Sequence, residues 1–431
     1  MADQLCTVGI MPTEICAVGD TLETLVATLA RLANSADLLI MSGGLGPTDG
    51  DLTRAALAEL LGEALITDPA AHARLTAWLA ARGRTMNERQ ARQGQRPPSA
   101  SCLDNNFGTA PGLHLTLTPG NTAGRITRRC EVFCLPGPPG ELKPMFAAAI
   151  LPALRPARTV ITRLLHIIGI PEADLAARLA ASPAGKLTDR NRVPLIGMTA
   201  SGGVITLRMR FEAELASESR GIALLDNDEA TLRAMFGDHL FAKDAQTIQH
   251  TVLAELLRTG ATLYTAESCT GGLLGTLLTD IPGSSASYAG GWVTYSNEMK
   301  AAQLGVDAGL INRCGAVSAE VATAMAMGAM TQRPSAHSAK PSTGHTLAIT
   351  GIAGPEGGSE AKPVGTVYIA HAWQGDVSNG SNDAAGLDVR RFCITGGRDE
   401  VRQRAARTAL AMLHFQLRGH PPGQPKLLWQ I

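Results

Sequence analysis

The chain has 431 residues and equal numbers of basic and acidic side chains, 38 each; it is too long for one ordinary core, so two or three domains of roughly 100–200 residues are expected. A balanced charge provides no global field to recruit nucleic acid or an anionic membrane, so neither is an expected partner and any anionic ligand must be held locally. No apolar run reaches the ~18 residues of a membrane span, no basic-then-apolar signal opens the chain, and eight scattered cysteines without CxxC pairs read as reduced thiols, so a cytoplasmic protein is expected.

The apolar run Leu38 to Met41 ends in Ser42-Gly43-Gly44-Leu45-Gly46-Pro47-Thr48, and a helical pattern follows from Leu52 to Leu61. That order predicts a strand, a glycine-rich turn and a helix. Val132 to Leu135, Pro136-Gly137-Pro138-Pro139-Gly140-Glu141 and the pattern from Leu142 to Leu154 repeat it. Two such units predict a parallel sheet with ligands at the strand ends. The prolines of 152–158 set a first boundary at residue 157.

Residues 158–244 read as a small α+β domain, with a helix over Glu172 to Leu179 and an alternating strand over Val204 to Arg210. A third domain spans 245–418. Its pattern gives a helix over Thr247 to Leu257, strands at Ala261 to Ala266, Leu347 to Ile352, Val364 to Trp373 and Val389 to Ile394, and a long helix from Asp399 to about Leu417. Thr331 to Gly344 and Gly375 to Gly386 read as surface loops, and residues 419–431 as a loose tail. The fold class is therefore α/β throughout, with a smaller α+β middle module.

Chemistry concentrates in the third domain. Glu267-Ser268-Cys269-Thr270-Gly271-Gly272 lies between a strand and a helix, where a serine serves as N-cap, phosphate ligand or nucleophile. Thr294-Tyr295-Ser296-Asn297-Glu298-Met299-Lys300 runs from a strand into a helix and leaves Lys300 in its first turn. The helix dipole and burial both lower the pKa of such a lysine, and a neutral amine can take a proton from a serine hydroxyl while Tyr295 relays or orients. The bland alternative is a solvated lysine and a core tyrosine. Thr350-Gly351-Ile352-Ala353-Gly354-Pro355 offers unobstructed amides to a phosphate or an oxyanion.

These segments, with Asp280-Ile281-Pro282-Gly283-Ser284-Ser285 and Ala316-Val317-Ser318, resemble the CinA family and its stand-alone relatives, the nicotinamide-mononucleotide deamidases. The resemblance implies a catalytic group of Ser268, Tyr295 and Lys300 that hydrolyses the carboxamide of nicotinamide mononucleotide to nicotinate mononucleotide and ammonia. That is an amidohydrolase step in pyridine-nucleotide salvage with no cofactor, and a homodimer is expected. Amides of Thr270, Gly271 and Gly272 are assigned to the oxyanion. Thr350, Gly351 and Gly354 are assigned to the nucleotide end. Arg398 is the candidate phosphate ligand, in Gly396-Gly397-Arg398 where the family has Gly-Asp-Arg.

Gly43, Gly44, Gly46, Thr48 and Asp51, with Gly137 and Glu141, look like the ligand site of the molybdopterin-binding-type domain that opens full-length CinA proteins. The resemblance implies a divalent-metal-dependent ADP-ribose pyrophosphatase there, with glycine amides on the diphosphate and Asp51 on the metal or, equally, capping a helix. Gly50-Asp51 stands where the family has an acidic pair, and Met1 aligns within the family's first helix, so a domain without its opening strand is expected. Two further functions stay in view: ADP-ribose cleavage by the first domain alone, and a non-catalytic nucleotide-binding protein.

Overall fold

The computed structural model describes residues 1–120, 122, 124–154, 158–182, 187–332, 343–374 and 385–431. Most of both expected surface loops, and the boundary at 157, lie outside the described residues. Two compact units form. One holds Met1–Val160 with Ala213–Ser217, the other Ile161–Glu212 with Glu218–Ile431.

In the first unit the strands Leu38–Ser42 and Cys130–Leu135 pair in parallel, as the repeated strand, turn and helix pattern predicts. They belong to a four-stranded sheet completed by the antiparallel strands Gly112–Leu117 and Ser101–Leu103. Helix Thr53–Leu61 ends at Gly62, whose φ of 68° is the left-handed conformation that glycine adopts without strain. The expected helix after Pro138 runs from Pro139 but changes pitch at Phe146 and again at Leu151, so it is three short segments.

The second unit joins what the sequence divides at residue 244. Its smaller sheet pairs Thr159–Ile168 with Leu240–Lys243 and Val204–Ala213 with Leu195–Ser201. Ile168, Phe241 and Ala242 of that sheet enter the same apolar core as Val401, Leu410 and Phe415 of the long helix Arg398–Leu417. Arg407 of that helix donates to the Gly202 carbonyl at 3.3 Å, and His414 lies 2.9 Å from the Asp238 carbonyl. The division at residue 244 therefore does not separate two cores: residues on both sides of it are buried together in one compact unit.

The larger sheet has five strands, in the order Tyr288–Val293, Thr262–Glu267, Gly344–Gly351, Thr366–Gln374 and Gly386–Cys393. The first three are parallel, so the chain ends of Thr262–Glu267 and Tyr288–Val293 come out on one edge with the Gly351 end. Alternation along Gly344–Gly351 separates the two faces. Leu347 and Ile349 meet the long helix side, whereas Ala348, Ala370 and Ala372 meet helix Ala319–Thr331. On its other side that helix approaches the end of helix Asn297–Leu304 closely: a Cβ on Gly328 would stand 2.0 Å from the Leu304 carbonyl oxygen.

Residues 419–431 are not loose. Leu427 is buried, Cys393 donates its amide to the Trp429 carbonyl at 2.9 Å, and Ile431 donates to Arg391 O at 3.1 Å. Buried Arg390, paired with Asp388 at 2.6 Å, also donates to the carbonyls of Gln424 and Pro425. A buried guanidinium needs several acceptors, and this segment supplies them. Among the described residues no helix is long and apolar enough to cross a membrane.

Candidate active site

Ser268 follows the strand Thr262–Glu267 directly. Its amide donates to Ile349 O on one side at 3.0 Å, and the preceding carbonyl of Glu267 accepts from Thr294 N on the other at 2.8 Å. The serine is therefore fixed between two neighbouring chain segments at the edge where the parallel strands end. Gly271 and Gly272 then turn the chain with φ of 61° and 91° before helix Leu273–Thr279, a double left-handed step open only to glycine at low cost.

Lys300 comes from helix Asn297–Leu304, where Ser296 is the N-cap and accepts from Met299 N at 3.2 Å. The lysine is 1% exposed, and its Nζ lies 3.0 Å from Ser268 Oγ. Nζ also donates to the carbonyls of Thr294 at 3.0 Å, Tyr295 at 3.2 Å and Ser296 at 3.5 Å. Burial pushes its pKa below the usual lysine range, outweighing the opposing influence of Cys269 and Glu298. A neutral amine can spend its N–H bonds on the carbonyls and present its lone pair to the serine hydroxyl. A buried Ser and Lys pair of this geometry can act as a nucleophile with its own base.

Tyr295 departs from the expected role. Its side chain is 60% exposed, and its hydroxyl accepts from Arg398 Nη2 at 3.0 Å rather than meeting Ser268 or Lys300. It joins the dyad through its backbone carbonyl alone. The reason is local: Lys300 reaches back along the first helical turn to the 294–296 carbonyls, and the tyrosine ring lies outside that wrap. Arg398 also donates to Gly354 O at 2.7 Å, so it ties the tyrosine to the glycine turn. Among the described residues its other three N–H groups have no acceptor and can serve an anion.

The other expected ligands divide. Thr350 is 1% exposed and its hydroxyl donates to Ala316 O at 2.8 Å, so it fastens the 315–318 segment and is closed to a ligand. Gly351 is crowded by its antiparallel neighbour, since a Cβ there would lie 2.9 Å from Thr366 O. Gly354, with φ of 83°, packs its Cα against Val364 and keeps its place in the site through Arg398. Of the amides assigned to an oxyanion, Gly272 N donates to Glu267 Oε2 at 3.0 Å and Gly271 N to Ser268 O at 3.0 Å. Both are spent; Thr270 N donates to no acceptor among the described residues.

Two residues escaped the sequence reading. Glu267 accepts amides around the turn, and Arg402 donates to Thr270 O at 2.8 Å. An acidic residue just before a glycine turn and a helix was the available signal for the first. Nothing local announces Arg402, which arrives from 132 residues away.

In the first unit the two glycine turns do meet: a Cβ on Gly137 would lie 3.6 Å from Gly43 Cα, and Thr53 Oγ1 donates to Gly43 O at 3.0 Å. Gly43, Gly44 and Thr53 line a cavity of about 1430 Å³ whose other walls include Leu5, Leu29 and Met41. Asp51, however, turns its carboxylate onto Thr48, accepting from the amide at 2.8 Å and the hydroxyl at 2.5 Å. These bonds close the 48–51 turn and do not cap helix Thr53–Leu61, whose N-cap Leu52 has no side-chain cap bond, so the expected helix-capping role is not seen either. Gly46 lies against the same carboxylate, and a Cβ there would meet it at 2.5 Å. Glu141 accepts from Asn105 at 2.7 Å. Among the described residues no group of three or more His, Cys, Asp or Glu side chains could hold a metal, so a metal at Asp51 would have one carboxylate that already serves Thr48.

Residues 245–417 match the CinA C-terminal domain, and residues 1–156 match the probable molybdopterin binding domain. A competence-damage inducible protein of Symbiobacterium thermophilum is 42% identical over 426 residues, covering 97% of this chain and 94% of its own. A CinA-like protein of Geobacter metallireducens is 37% identical, covering 97% and 94%. Among solved structures, the CinA superfamily protein of Klebsiella pneumoniae is 33% identical over 41% of this chain and 100% of its own, with a TM-score of 0.34. A two-domain match in order, with near-complete coverage of the relatives, identifies this chain as a member of the CinA family.

Proposed function

We propose that the second unit hydrolyses the carboxamide of nicotinamide mononucleotide, releasing ammonia and nicotinate mononucleotide. The observation that carries this reading is the buried Lys300 amine 3.0 Å from Ser268 Oγ, with burial lowering the lysine pKa. Lys300 takes the proton as Ser268 Oγ attacks the carboxamide carbon. The tetrahedral adduct collapses by expelling the nitrogen, which leaves as ammonia with the proton from Lys300. Water, deprotonated by the same amine, then adds to the ester and frees the carboxylate and Ser268. The lysine supplies the base at each stage, so the route calls for no metal. Arg398, with N–H groups to spare at the edge of the site, is the group we assign to the phosphate. The eight cysteines are all free, which supports a reducing, cytoplasmic setting.

The test is a pH profile. A lowered Lys300 pKa means that the neutral, active amine accumulates as pH rises, so kcat should climb along a limb below the ordinary lysine value of about 10.4 and then level off. The limb belongs to the serine and lysine together. A residually active Lys300→Arg variant should lose it; the same limb in that variant would remove Lys300 from the role of base.

A further inference from the structure

We infer that Glu267 is a positioning residue for the Ser268 nucleophile, holding the Ser268 to Gly272 turn through the amides that follow it. The inference rests on the serine amidase reading above. Glu267 is 1% exposed, and it forms no ion pair among the described residues. Its Oε2 accepts from Gly272 N and Leu274 N, both at 3.0 Å, and its Oε1 accepts from Gly275 N at 2.8 Å. One buried carboxylate thus takes three N–H groups of the segment just beyond the nucleophile. Such charge-assisted bonds in a dry setting fix peptide planes more firmly than neutral ones.

The backbone atoms of the same residue complete the hold. Glu267 O accepts from Thr294 N, Ser268 N donates to Ile349 O, and Arg402 pins Thr270 O from the long helix. The turn is thereby fixed at its start, middle and end. What this arrangement leaves uncommitted is specific: the Cys269 amide faces its own thiol, the Thr270 amide donates to no acceptor among the described residues, and the Thr270 hydroxyl is buried without a partner. The Thr270 amide, rather than those of Gly271 and Gly272, is the donor beside Ser268 open to a developing oxyanion. Glu267 acts through the turn and touches neither substrate nor Lys300.

The experiment compares wild-type full-length protein with Glu267→Gln. A carboxamide offers one acceptor oxygen and sets its NH2 against an amide N–H, so it cannot receive all three bonds. Three quantities are read: kcat and KM for ammonia release from nicotinamide mononucleotide, the rate at which a fluorophosphonate labels Ser268, and calorimetric binding of nicotinate mononucleotide. Misplacing the nucleophile by a fraction of an ångström should cut kcat and labelling by about 10²-fold, while KM and product binding stay within about threefold. Wild-type kcat and labelling in Glu267→Gln would overturn the inference, as would product binding lost in parallel with kcat, the mark of a merely structural residue. If Glu267→Gln does not fold, Glu267→Asp, which keeps the charge but falls one methylene short of the amides, is read against the same thresholds. Wild-type protein labelled at Ser268 that releases no ammonia would sink the substrate reading, and the labelling ratio would still decide Glu267.

Discussion

Ser268→Ala and Lys300→Met should each lower ammonia release from nicotinamide mononucleotide by at least about 10³-fold, because removing either member of a nucleophile and base pair removes nearly the whole pathway. The two variants differ in what else they disturb. Ser268 Oγ has Lys300 as its hydrogen-bond partner, so alanine there should change stability by about 1 kcal/mol or less. Lys300 serves three backbone carbonyls as well; methionine fills its volume but leaves the Thr294 and Tyr295 carbonyls without that donor, while Ser296 O keeps the backbone amide of residue 300, and a lower melting temperature is expected alongside the lost activity. The double variant should be no slower than either single one, as expected for groups acting as a unit. Multiplicative losses in the double variant would separate the two residues mechanistically.

Gly365→Ala should destabilise the second unit by at least about 3 kcal/mol, a size reserved for backbone strain and steric overlap. Gly365 has a φ of 91°, and a Cβ would stand 2.0 Å from the Ile394 carbonyl oxygen. The overlap is with backbone, so no rotamer change relieves it. The residue also donates to Ile352 O at 2.7 Å and accepts from Ile394 N at 2.8 Å. It thereby holds the glycine turn beside Arg398 to the sheet. For a unit of this size, roughly 2–4 °C per kcal/mol gives a melting shift of at least about 6 °C. A melting temperature within about a degree of wild type would show that this junction is far more pliable than its bonding indicates.

The elements themselves were readable because their signals are local. The helix Leu273–Thr279 follows two glycines, and the apolar run from Leu347 reads as a strand that is buried on both faces. The placing of Ser268 and Lys300 where a strand gives way to a helix was legible for the same reason, whereas their catalytic assignment came from the family resemblance. What the sequence hid depends on distant atoms. Arg398 captures the Tyr295 hydroxyl across 103 residues, which takes the tyrosine off the dyad. Thr350 spends its hydroxyl on Ala316, a partner 34 residues earlier. The last thirteen residues read as loose because glycine and proline abound there; the buried Arg390 and the Leu427 contact that fix them have no trace in the local pattern. The merging of the middle module with the third domain has the same origin, a core built from both.

The most direct test is acid quench of the full-length protein during turnover of nicotinamide mononucleotide in the presence of a metal chelator, reading ammonia, nicotinate mononucleotide and the mass of the Ser268 peptide. The account predicts ammonia equal to nicotinate mononucleotide plus acylated Ser268, no loss on chelation, and a Ser268 peptide heavier by the substrate less ammonia. Absence of ammonia, its loss on chelation, or product formed at full rate by Ser268→Ala would contradict it.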